Sequence, residues 1–263
     1  MNKKAVIGLG LVAVLILAGY GWFFFQRYLN SGLGASGTIE VTEVVVSSKV
    51  MGRITTLNVD EGSDVKAGDV MALIETQDYQ AGLDNAKAKQ KLAQSDFNRA
   101  KELFASQTIS PEDFDNARTN LEAATAALKL AQYQLDYTTI TAPITGTILA
   151  KAIEMGELAV PGSPIVTMAN LDEVKLMLYV GEKEVGKIKL GEEVKVTVDS
   201  LPGKVFMGKV SYISDKEEFT PKPIQTKEER TTYVYRIKVI IPNLGHDLKP
   251  GMPADGAFAW NSQ

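Results

Sequence analysis

A seven-residue rhythm of apolar and small side chains between Gln77 and Asp136 constrains this chain more than any other stretch. The first run is Tyr79, Leu83, Ala86, Ala93, Phe97, Ala100 and Phe104, with Gln90 filling the one missing step. After a short break the rhythm resumes at Phe114, Ala117, Leu121, Ala124, Leu128, Ala131 and Leu135. Steps alternating between three and four are the period at which helices bury a narrow seam against each other. The break at 105–109 is long enough only to reverse direction, so the two helices must lie antiparallel. At 1.5 Å per residue the hairpin spans about 40 Å. The helix after the break has a specified start. Ser110 is placed to cap the free amides, Pro111 suits the first helical position, and Asp113 sits where a capping box puts its acid.

The residues on either side of the hairpin repeat one another. Gly146, Gly156 and Gly162 follow Gly52, Gly62 and Gly68 at a common offset of 94, and Ile148 and Ile153 match Ile54 and Val59. Short apolar runs between these glycines read as strands, and an internal repeat takes precedence in assigning a fold. The hairpin is therefore an insertion between two matching halves. From Glu173 the pattern changes to alternation, with Val174, Leu176, Leu178 and Val180 facing one way. Further strands are expected at 194–198, 205–213, 233–240 and 254–260, which suggests a small β-barrel. Residues 219–230 read as a polar loop stiffened by Pro221 and Pro223.

At the other end, Lys3 and Lys4 precede an uncharged run from Ala5 to Phe25, long enough to cross a bilayer core of about 30 Å. The run ends in Trp22-Phe23-Phe24-Phe25 rather than in a small-residue cleavage site, which favours an uncleaved anchor over a signal peptide. The lysines put the N-terminus in the cytoplasm and the bulk of the chain beyond the inner membrane. Residues 30–37 read as a flexible linker.

Composition removes several functions. There is no cysteine, so disulfides, thiolate metal sites and cysteine nucleophiles are excluded. The single histidine, His246, excludes chemistry that needs two imidazoles. A net charge of −4 argues against a nucleic-acid partner. The acidic turn Asp60-Glu61-Gly62-Ser63-Asp64 falls short of an EF-hand loop.

Taken by themselves, Arg99 and Leu103 are a solvated charge and a flank of the seam. Two resemblances alter that. The halves, with Gly62-Ser63-Asp64-Val65-Lys66-Ala67-Gly68-Asp69-Val70 in the first, resemble a biotinyl/lipoyl domain. The turn where carrier domains hold their acceptor lysine reads Glu75-Thr76-Gln77-Asp78, and Lys49 and Lys66 do not match it. The whole of residues 38–260 resembles the periplasmic adaptor (membrane fusion protein, HlyD) family of tripartite exporters. That family carries a tip pattern of Arg, Leu four later and Ser seven beyond, matched here by Arg99, Leu103 and Ser110.

The resemblance implies a mixed α and β, elongated fold. Its parts are a cytoplasmic start and transmembrane anchor over 1–29, the linker over 30–37, a split lipoyl-like β-sandwich over 38–76 plus 137–171, the coiled-coil hairpin over 77–136 and a β-barrel domain over 172–263. It implies docking of the tip on a TolC-type outer-membrane channel and assembly as a homo-oligomeric ring of six. The 219–230 segment resembles adaptors paired with ABC transporters, with Lys222, Lys227 and Arg230 facing the transporter. A fourth, membrane-proximal domain found in many relatives is expected to be absent or vestigial, and the hairpin is short for the family. No catalytic residue, metal or cofactor is expected. The alternatives are an accessory subunit that regulates an inner-membrane transporter without an outer-membrane partner, and a lipoyl or biotinyl carrier subunit of an enzyme.

Overall fold

The computed structural model describes residues 34–219 and 233–258. The expected anchor over 1–29 and the cations Lys222, Lys227 and Arg230 lie outside the described residues. Among the described residues, no helix is long and apolar enough to cross a membrane. The chain divides into two units. One is Thr42–Asn170, and the other joins the residues up to Val41 with those from Leu171 onward.

Four strands open the chain up to the middle of the first unit: β1 (Gly34–Glu40), β2 (Glu43–Ser47), β3 (Gly52–Leu57) and β4 (Asp64–Val65). After β5 (Val70–Ile74) come helices α1 (Gln77–Ala105) and α2 (Pro111–Asp136). Strands β6 (Thr139–Thr141), β7 (Gly146–Lys151), β8 (Leu158–Ala159) and β9 (Pro164–Ala169) complete the unit. Eight of these strands make two four-stranded sheets, in the orders β2-β9-β7-β4 and β6-β5-β3-β8. The sequence repeat maps β2, β3, β4 and β5 onto β6, β7, β8 and β9, so the same operation turns one sheet into the other. Each sheet thus takes two strands from each half.

The exchange is visible bond by bond. Gly62 N donates to Ile148 O and Gly156 N to Ile54 O, both at 2.8 Å. Likewise Gly68 N donates to Ala142 O and Gly162 N to Ser48 O, again both at 2.8 Å. Gly62 and Gly156 adopt φ of 81° and 93°, a left-handed conformation that only glycine enters without steric cost. Between the sheets, Ile54, Met71, Ile74, Ile148, Ile165 and Met168 are fully buried, and their removal from water is the main force holding the halves together.

The helices follow the heptad. Leu83 and Ala93 are buried, and every other seam position from Tyr79 to Leu135 is half-buried, apart from Phe104 at the open end. Two helices packed only on each other cover one narrow stripe apiece.

The second unit adds β10 (Glu173–Gly181), α3 (Glu182–Val185), β11 (Glu193–Thr197), β12 (Phe206–Phe219), β13 (Tyr233–Pro242) and β14 (Pro253–Phe258). Its strands close a barrel in the order β1-β10-β13-β12-β11-β14. Alternation puts Val174, Leu176, Leu178 and Val180 of β10 inside, together with Ile39, Val194, Ile237 and Phe258.

The placement of β1 corrects the expected linker over 30–37 and the expected start of the sandwich at 38. Residues 34–40 form a barrel strand paired with both β10 and β14. Ala35 and Ile39 point into the barrel core. Gly37 lies so close to β10 that a Cβ there would overlap the Met177 carbonyl, so the glycine that suggested flexibility is what permits the pairing. The following residues, from Thr42, belong to the sandwich unit.

Candidate functional site

The reversal at the tip is closed by backbone bonds. Helix α1 ends in a Schellman pattern, with Thr108 N donating to Leu103 O at 2.8 Å and Gln107 N donating to Phe104 O at 2.9 Å. Gln107 carries the left-handed conformation this cap requires, φ 55°, where glycine is the usual occupant. The Ser106 hydroxyl donates to Leu103 O at 2.9 Å. Helix α2 begins with the expected capping box. Asp113 N donates to Ser110 Oγ at 3.1 Å, and Ser110 N donates to Asp113 Oδ2 at 3.4 Å. Beneath the loop, Phe114 stacks on Phe104 with ring centroids 4.8 Å apart and meets Phe97 at 5.6 Å.

All three residues expected at the tip are exposed, though they are not alike in their bonding. Arg99 and Leu103 lie four apart, hence on one helix face. The Arg99 side chain is 68% exposed and pairs with Asp96 Oδ1 at 3.5 Å, and Leu103 is 38% exposed. Ser110 is differently employed. Its hydroxyl also donates to Asp113 Oδ2 at 2.7 Å, so both of its hydrogen-bonding roles are already used in the cap. The arrangement is a rigid end with one guanidinium fork and one small apolar knob, suited to polar-plus-apolar recognition of another protein.

Two features were not legible as site elements in the sequence. At the base of the hairpin, Tyr79 donates its hydroxyl to Met51 O at 2.6 Å, and Lys49 Nζ sits 4.6 Å from the Tyr137 ring centre. These contacts tie both helices to the sandwich. A tyrosine rather than an aliphatic residue at the first seam position was the available signal. An open cavity of about 360 Å³ lies beside this clamp, lined by Met51, Glu75, Asp78, Tyr79 and Gln134 among others. Glu75 and Asp78 in its lining belong to the turn that stands where carrier domains hold their lysine.

The acidic turn at Asp60 is met by a lysine of the other half. Lys151 Nζ lies 3.3 Å from Asp60 Oδ1 and 3.1 Å from Glu154 Oε1. The Glu61 backbone amide, and then Lys151, hold the Asp60 carboxyl below its ordinary range. Glu154 and Asp60 in turn raise Lys151. Among the described residues, no group of three or more His, Cys, Asp or Glu side chains is placed to hold a metal ion.

Comparison with known proteins assigns both units. A family model described as the RND membrane fusion protein barrel-sandwich hybrid domain matches residues 42–169, and one described as the YknX-like β-barrel domain matches residues 175–254. The UPF0194 membrane protein YbhG of Salmonella arizonae is 30% identical, with 98% of this chain and 98% of that protein covered. A chimera of MacA and MexA that contains the Pseudomonas aeruginosa MexA α-hairpin domain superposes with a TM-score of 0.75 at 28% identity, covering 86% of this chain and 81% of the chimera. The membrane fusion protein Spr0693 of Streptococcus pneumoniae R6 shares the fold, with a TM-score of 0.70 at 22% identity over 88% of this chain and 100% of that one. With an end-to-end relative and both units matched in chain order, this chain belongs to the membrane fusion protein family, the periplasmic adaptors of efflux systems.

Proposed function

We propose that this chain is the non-enzymatic adaptor of an ABC-type exporter, held in the inner membrane by its N-terminal segment with the rest in the periplasm. Its hairpin tip engages a TolC-type outer-membrane channel, and copies assemble as a six-membered ring. The observation that carries this reading is the tip itself. Arg99 and Leu103 stand exposed on one face of a helix whose end is fixed by a Schellman cap, a capping box and a phenylalanine stack. A surface so fixed pays little ordering entropy on binding. The ABC pairing rests on the resemblance of the 219–230 segment, with Lys222, Lys227 and Arg230 facing the transporter.

The test is photo-cross-linking from Arg99 and Leu103 in intact cells, followed by mass spectrometry of what is captured. Capture of an outer-membrane channel supports the bridge. Capture of inner-membrane proteins alone would shift the reading to an accessory subunit that regulates its transporter. A second check is Leu103→Glu. Export is expected to fall at least tenfold while the protein keeps its level in the membrane and its melting temperature; unchanged export would count against tip docking.

A further inference from the structure

Among the described residues, two that are not glycine hold a left-handed φ, Gln107 at 55° and His246 at 51°. A side chain in that conformation is a strain that the surroundings must hold in place. At His246 the side chain has a task inside the molecule, because its Nε2 lies 2.9 Å from Asp172 Oδ1. At Gln107 it has none. The other polar side chains of the loop are engaged within it. Ser106 Oγ donates to Leu103 O and lies 2.9 Å from Thr108 Oγ1, while Ser110 Oγ is shared with Asp113. Gln107 is exposed, and its side-chain amide makes no hydrogen bond among the described residues. Its backbone is held on both sides. Gln107 N donates to Phe104 O, and Thr108 N closes on Leu103 O, which keeps Gln107 beside the apolar knob. A glycine would make the same turn with less strain, so what glutamine adds here is its side chain alone.

We infer that Gln107 is a docking residue of the tip, its amide pairing with a peptide group exposed on the outer-membrane channel, and that Ser110 serves docking only by fixing the turn. This rests on the reading above that the tip engages such a channel. A primary amide carries two donors and an acceptor, and a peptide group carries one of each, so the two can exchange a pair of hydrogen bonds without a net charge. Arg99 offers donors alone and Leu103 offers neither, so of these three side chains only Gln107 can accept. Its stem is fixed by the Schellman bonds, which lowers the ordering entropy lost when the amide finds a partner. Ser110 is in the opposite position. Its one proton goes to Asp113 Oδ2 at 2.7 Å and it accepts from Asp113 N at 3.1 Å, so donating outward would open the cap. The family pattern names the serine, whereas the free amide belongs to the glutamine three residues before it.

Docking and folding can be read separately. A photo-reactive residue at Leu103 of the full chain, in intact cells, reports docking as the yield of cross-linked outer-membrane channel. The melting temperature of the helical signal, taken on the purified full chain, reports the turn. Gln107→Gly is expected to raise the melting temperature and yet lower the cross-link yield by about fivefold, the size of one net hydrogen bond. Gln107→Asn keeps an amide on a residue that enters the left-handed region readily, and should recover most of the yield. Ser110→Asn caps a helix as well as serine does, and should stay within about twofold of the unaltered chain. An undiminished yield from Gln107→Gly, or a yield lost in Ser110→Asn at an unchanged melting temperature, would overturn the inference. No capture of a channel even with Gln107 and Ser110 in place would overturn the inference together with the adaptor reading it rests on, which tells the two failures apart.

Discussion

At Gln107 one side chain sits where the backbone asks for none. The Schellman cap needs a left-handed residue, and Gln107 supplies it at φ 55°. A left-handed conformation costs a side-chain-bearing residue about 1–2 kcal/mol, while glycine loses part of that advantage to the greater freedom of its unfolded chain. Gln107→Gly is therefore expected to stabilise the hairpin by about 0.5–1 kcal/mol, read as a higher urea midpoint of the helical signal. Ser110 shows how one residue can carry two readings. Its place in the family pattern and its place in the capping box are the same place, and only the bond to Asp113 shows its hydroxyl already occupied. The Asp60–Lys151 contact sets a pH dependence of definite sign. The folded Asp60 carboxyl titrates below its ordinary value, so its contribution to stability is present above that value and fades as pH falls through the folded one. Lys151, raised, contributes below its ordinary value and loses its contribution as pH climbs through the raised one. Lys151→Met is expected to move the Asp60 titration, followed by carboxyl NMR, upward only in part, because the Glu61 amide remains as the larger cause.

Among elements, the helices were the most legible because their evidence is local. A heptad names its own seam, and the positions it names are the covered ones. The exception, Phe104, is 38% exposed because the helix pair ends there, and its ring finds Phe114 instead. Leu83 is buried to 3% exposure near the hairpin base, so Leu83→Ala is expected to cost about 2–4 kcal/mol. The loss should appear as faster amide exchange along α1, with the barrel strands unaffected. Strand β1 was illegible for the opposite reason. Gly34-Ala35-Ser36-Gly37 has the composition of a linker, and its partners Leu178 and Ala254 lie more than a hundred residues away. Local propensity gave way to a pairing that only small residues allow. Asn243 was hidden in the same way: its side-chain amide donates to Leu171 O and Leu248 O, and Leu248 N donates to its Oδ1, a staple with no local motif.

In the whole molecule, the repeat announced two matching halves but not how they combine, because strand exchange is decided by distant partners. The reciprocal bonds from Gly62 to Ile148 and from Gly156 to Ile54 show that neither half owns a sheet. Continuity of the chain through the hairpin is then not what keeps the halves together. A polypeptide severed within 106–109 should behave as a two-piece protein, each piece supplying the strands the other lacks and one helix of the pair. Site-directed proteolysis at an engineered cleavage sequence in that loop is expected to leave both fragments eluting together in gel filtration and parting only in denaturant. Their separation in native buffer would show instead that the covalent link is needed. If they remain joined, the far end of the hairpin is a place where this chain tolerates a cut, and so a place to graft, split or lengthen it without unmaking the fold at its base.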